Sequence, residues 1–71
     1  MFITTHAILK AREREIAYPD QVFHALSVGK MRRFGKNDVK FVSTSKNCSI
    51  ICVGEEVGGT IIIKTIERGN L

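Results

Sequence analysis

The chain has 71 residues, 44% of them apolar and 25% charged, and carries a net charge of +4. That length holds one domain with one small core and excludes a multidomain enzyme, while the apolar content excludes a disordered chain. No apolar run reaches the roughly 18–20 residues of a membrane helix, and "MFITTHAILKARER" has too short an apolar stretch for a signal peptide; the expectation is a cytoplasmic protein without membrane contact.

The first element to expect is a helix. Thr4 or Thr5 offers a hydroxyl to the free amides of a first turn, and the spacing predicts a helix over about Thr5 to Glu15. Ala7, Ile8, Ala11 and Ile16 make its apolar stripe, while His6, Lys10, Glu13 and Arg14 share a polar one. "YPDQV" signals a second start. Pro19 suits a first turn, Asp20 complements the positive end of the dipole, and Gly29 ends a helix over Pro19 to Val28. Val22, Phe23 and Leu26, with Tyr18 just before them, are expected to face the core.

Strand signals follow. "KMRRFG" reads as a short strand and "GKND" as a turn. "VKFVSTS" alternates and is rich in β-branched residues, so a strand is expected from Val39 to Thr44. A turn is expected at Lys46 and Asn47. "CSIICVG" reads as a central strand buried on both faces. Gly58 and Gly59 suit a hairpin needing positive φ, and "TIIIKTIER" closes the chain as a strand over Thr60 to Glu67. The expected fold is α+β. Two N-terminal helices pack on one face of a three- or four-stranded antiparallel sheet, in one domain over residues 1–71.

Little conventional chemistry is on offer. Cys48 and Cys52 stand four apart; on one strand their Cα atoms would lie roughly 13 Å apart, too far for a disulfide or a shared tetrahedral metal. Reduced thiols are expected. There is no phosphate-binding glycine loop, no metal-ligand spacing and no Ser-His-Asp order, so no metal and no cofactor is expected.

Basic residues are the main functional signal. "GKMRRFGKNDVK", residues 29–40, holds five of the eleven Lys and Arg residues: Lys30, Arg32, Arg33, Lys36 and Lys40. A positive balance of this kind favours polyanions such as nucleic acid.

"THAILKARERE" followed by an isoleucine, a Pro/Asp-started helix ending in glycine, a basic strand and a closing "IIIKTIERG" together resemble a group of small prokaryotic domains of unknown function. These are similar in turn to the RelE, ParE and BrnT toxins. His6, Ala7, Glu13-Arg14, Ile16, Gly29 and Thr65 carry the resemblance. It implies the RelE-like layering of helices on an antiparallel sheet and toxin–antitoxin ancestry. For ribonuclease members it also implies RNA or the ribosome as target, bound in a basic cleft.

Metal-independent RNA cleavage needs a base, an acid and cations around the phosphate. His6 is the candidate base. Lys64, a lysine amid isoleucines on the last strand, is its candidate partner, although it equally suits a side chain snorkelling to water. Arg14, Arg33 and Lys40 are candidate RNA-binding residues. Arg14 has a second reading as the ion-pair partner of Glu13 or Glu15, and Arg33 is chosen over Arg32 because alternation lets only one face a cleft. Phe34 and Phe41 are the aromatics able to stack on a base, with core packing as their other reading. Thr65 shares a site with Lys64 only if the strand bulges between them. The functional expectation is a small RNA-binding protein with the capacity of a toxin-type endoribonuclease. The alternative is a non-catalytic interaction module that binds an antitoxin-like protein or another copy of itself.

Overall fold

The computed structural model describes residues 1–44 and 48–70. Chain order is β1 (Phe2–Ile3), α1 (Thr5–Glu13), α2 (Asp20–Val28), β2 (Lys30–Phe34), β3 (Asp38–Thr44), β4 (Cys48–Val57) and β5 (Thr60–Asn70). The turn expected at Lys46 and Asn47 lies outside the described residues.

The expected three- or four-stranded antiparallel sheet is not what forms. Among the described residues the sheet has five strands in the order β1-β5-β4-β3-β2 and is mixed. A strand precedes both helices: Phe2 and Ile3 pair in parallel with Ile62 and Ile63. About half of the chain is strand, and each helix has only nine residues. Two apolar residues before a helix cap give no alternation to read, and their partner strand lies some sixty residues away. Local pattern therefore could not announce β1.

The ladders fix which side chains share a face. Phe41 opposes Cys52 and Val39 opposes Gly54, while Cys52 opposes Ile66. Phe41, Val39, Cys52 and Ile66 are buried beneath the helices, in one cluster with Ala7, Ala11, Ile16, Val22 and Ile63. Helix α1 lies over β5, and α2 lies over β3 and β4. Among the described residues, the other face carries no helix. There Val42, Ile51, Val53 and Ile62 are only half-buried, so β4 is central but not covered on both sides as expected. Phe23, expected in the core, is exposed on α2, with its ring 5.8 Å from that of Tyr18.

The β4–β5 register shifts at one point. Val53 opposes Thr65 but Gly54 opposes Ile63, which leaves Lys64 as an extra residue, a β-bulge. Strict alternation would send Ile63 and Ile66 to opposite faces. The bulge turns both toward the helices, and both are fully buried. Burying an isoleucine contributes roughly 1.5–3 kcal/mol, which rewards the irregularity. The backbones close up at this point, and a Cβ on Gly54 would collide with the Ile62 carbonyl. Beyond the bulge, Val57 pairs with Thr60 across a two-residue loop in which Gly58 and Gly59 both take positive φ, 56° and 81°. That is the twist-matched hairpin turn.

Both ends of α1 are locally specified. Thr4 is the N-cap, its hydroxyl accepting from the Ala7 N–H at 3.1 Å. At the other end the Ile16 N–H donates to Ala11 O at 2.8 Å and the Glu15 N–H to Arg12 O at 3.1 Å. This is a Schellman cap with Ile16 buried as its apolar anchor. Its left-handed position is occupied by Glu15, φ 58°, where glycine is the usual residue.

Glu15→Gly is expected to stabilise the fold by about 0.5–1 kcal/mol, the left-handed cost less glycine's entropy, read as a higher urea midpoint at unchanged slope. Gly54→Ala is expected to destabilise by about 1–3 kcal/mol, because the new methyl meets backbone. Burial pushes the Cys52 thiol from its ordinary 9.0 up to about 11. In a Cys48→Ser background, Cys52 should therefore resist alkylation at pH 8 until the protein unfolds. The raised value also means that stability is intact below about pH 9 and falls as pH climbs from there toward 11.

Candidate nucleic-acid interface

Ion pairing decides which basic residues are free. Arg14 reaches from the end of α1 to β5, placing Nε 2.8 Å and Nη2 2.7 Å from Glu67 Oε1, while the Thr65 hydroxyl donates to Oε2 at 3.0 Å. Its partner is thus neither Glu13 nor Glu15. Arg33 projects to the helix-bearing face and binds Glu56 at 2.8 Å. Lys64 stands 3.5 Å from Glu55 on the opposite face, and Lys10 pairs with Glu13 at 3.8 Å. Each of these cations already has a carboxylate.

His6 and Lys64 are not brought together. His6 is exposed on α1, in the helix layer, whereas the Lys64 ammonium lies beside Glu55 across the sheet. Of the five residues singled out from the sequence, His6, Lys64, Arg14, Arg33 and Lys40, only Lys40 stands on the uncovered face without an acidic partner among the described residues. The bulge does turn Lys64 and Thr65 to the same side, but toward Glu55 and Glu67 respectively.

A different group assembles around Lys40. On β2, Lys30, Arg32 and Phe34 alternate with Met31 and Arg33 and so share the uncovered face. Arg32 lies directly opposite Lys40, and the Lys40 ammonium sits 5.8 Å from the centre of the Phe34 ring, within cation–π range. Phe34 is 43% exposed, whereas Phe41 is in the core. Asp38 shares this face beyond Lys40, but its carboxylate is turned onto Gly35. Among the described residues, Lys30, Arg32, Lys36 and Lys40 have no carboxylate within ion-pairing distance.

At the start of β2 this face runs into a groove of about 560 Å³ lined by Val28, Lys30, Arg32, Val42, Ser43 and Thr44. Two cations and two hydroxyls are donors suited to a phosphate. The sequence reading missed Arg32, Lys30 and Phe34 as a set. The usable signal was the register between β2 and β3, since Arg32 joins Lys40 only if those two residues are directly opposed.

Like charges directly opposed across an antiparallel pair destabilise it. The Arg32–Lys40 pairing is therefore a cost that folding does not require. Comparison with protein-family models, curated proteins and solved structures gives no match.

Two stability measurements separate the paired from the unpaired cations. Arg32→Thr is expected to raise stability by about 0.2–1 kcal/mol by removing the opposed charge. A double-mutant cycle over Arg14→Ala and Glu67→Ala should give a coupling of up to about 1 kcal/mol, the pair being partly exposed, and the coupling should shrink in high salt.

Proposed function

We propose that this chain is a small RNA-binding protein that grips a single strand along the β2–β3 side of its uncovered face. One observation carries the reading: an unpaired cation ladder, Lys30, Arg32 and Lys40, runs along the sheet to an exposed aromatic ring, Phe34, with the Lys40 ammonium 5.8 Å from its centre. Basic side chains supply the sequence-independent part of nucleic-acid affinity, and an exposed ring supplies a surface for a base. Strand residues two apart are separated by roughly 6.6 Å, close to the phosphate repeat of an unstacked single strand. Both helices among the described residues lie on the other side of the sheet, and it is a helix that a duplex groove would admit.

The reading is one of binding. Cleavage requires a base and an acid at the same phosphate, and His6 stands away from the cations that would hold it. The alternative of self-association through β2 has a point in its favour, because β2 is an exposed edge strand. Lys30, Arg32 and Arg33 on that edge repel a second copy of it, a common protection of exposed edges. The toxin resemblance is not needed for this reading.

Fluorescence anisotropy with a short labelled single-stranded RNA tests it. With about 0.7 counterions released per contact on single strands, three cations predict a slope of roughly −2 in log K against log salt. Arg32→Ala and Lys40→Ala should each weaken binding and flatten that slope, and Phe34→Ala should cost about 1–3 kcal/mol. Binding that ignores both salt and Phe34→Ala would sink the proposal.

A further inference from the structure

We infer that the groove at the start of β2 and the cavity beside it form a single nucleotide-binding site, with phosphate in the first and base in the second. This inference rests on the RNA-binding reading and assigns a specific seat to one nucleotide of the strand.

The second cavity is about 320 Å³ and lies between α2 and the β3–β4 strands. Asp20, Gln21 and His24 form its polar wall, and Ala25, Val28 and Ile50 its apolar surface. It meets the basic groove at Val28, Ser43 and Thr44, which line both. The two compartments differ in charge. Lys30 and Arg32 line only the groove, and Asp20 lines only the cavity. An anion is therefore attracted to the groove and repelled from the cavity. A neutral group with hydrogen-bond donors is accepted by the cavity. A nucleoside monophosphate has this division, with a charged phosphate at one end and a flat base bearing N–H donors at the other.

The polar wall fits a base edge in more detail. The Gln21 carbonyl oxygen already accepts from the Ala17 N–H at 2.6 Å, so its amide N–H groups are the part left to offer. Asp20 lines the same cavity and offers acceptors, so the wall carries both kinds of group that the hydrogen-bonding edge of a base requires. Ala25, Val28 and Ile50 supply the aliphatic surface for the ring. The cavity volume is at the lower end of the roughly 300–1,000 Å³ typical of small-ligand clefts, which suits one base and its sugar.

Amide NMR titration of the full chain tests this with defined probes: a 5′-mononucleotide, inorganic phosphate and a single-stranded RNA. Inorganic phosphate should shift the groove amides, those of Lys30, Ser43 and Thr44. The mononucleotide should shift these together with Gln21, His24 and Ile50, and should bind at least tenfold more tightly than phosphate. Val28→Trp, an exposed helix-end position, should remove that tenfold advantage by filling the cavity. A mononucleotide that shifts only groove amides, or binds no better than phosphate, overturns the inference. If RNA still binds in a salt-dependent way in that case, the RNA-binding face stands without the nucleotide seat. If RNA also fails to bind, both readings fall.

Discussion

The close approach of β4 and β5 at Gly54 is the constraint on which the rest of the architecture depends. A single extra residue, Lys64, lets two isoleucines three apart point the same way. Ile63 then faces α1, and its carbonyl accepts from the Thr4 N–H at 3.0 Å. The same Thr4 caps α1 through its hydroxyl. One irregularity thus fixes the β1 pairing, the start of α1 and the position of that helix over β5. It is possible only because the residue opposite the shift has no side chain.

The charge distribution follows from the same layering. Carboxylates cluster on β4 and β5, where Glu55 holds Lys64 across the β4–β5 ladder, Glu56 holds Arg33 from β2 and Glu67 holds Arg14 from the end of α1. The Arg33 contact ties the edge strand β2 to β4, and the Arg14 contact ties the end of α1 to β5. The strands at the opposite side of the uncovered face have few acids of their own. The net positive charge is concentrated there, and a molecule that looks evenly basic in its sequence becomes polarised across its sheet. Arg32 facing Lys40 is the sharpest expression of this, a placement that stability alone disfavours.

Much of the local structure was legible in the sequence. Thr4 as a cap, Gly58-Gly59 as a hairpin and the α1, α2, β3 and β5 segments followed from spacing and turn chemistry. The sheet's overall makeup did not, because β1 has two residues and is defined by a distant partner. Alternation along β5 holds only up to Lys64, because the bulge there is signalled by nothing in β5 itself but by a glycine on a different strand. The same lack of register information led to Arg33 in place of Arg32. Arg14 and Lys64 looked available because a sequence does not show that Glu67 and Glu55 lie across from them.

The parallel pairing of β1 with β5 also bears on how the chain is made. Both surfaces that receive residues 2–13, the β5 edge for β1 and the β5 isoleucines for α1, come from β5, which is synthesised after the other six elements described. During translation α1 has no core to bury Ala7 and Ala11 against until β5 has left the ribosome. Contacts of such long sequence separation form slowly, after the local hairpins. The early part of this protein must therefore wait, with its apolar stripe in water, and its protection from aggregation over that interval falls to its own dense charge, Lys10, Arg12, Glu13, Arg14 and Glu15.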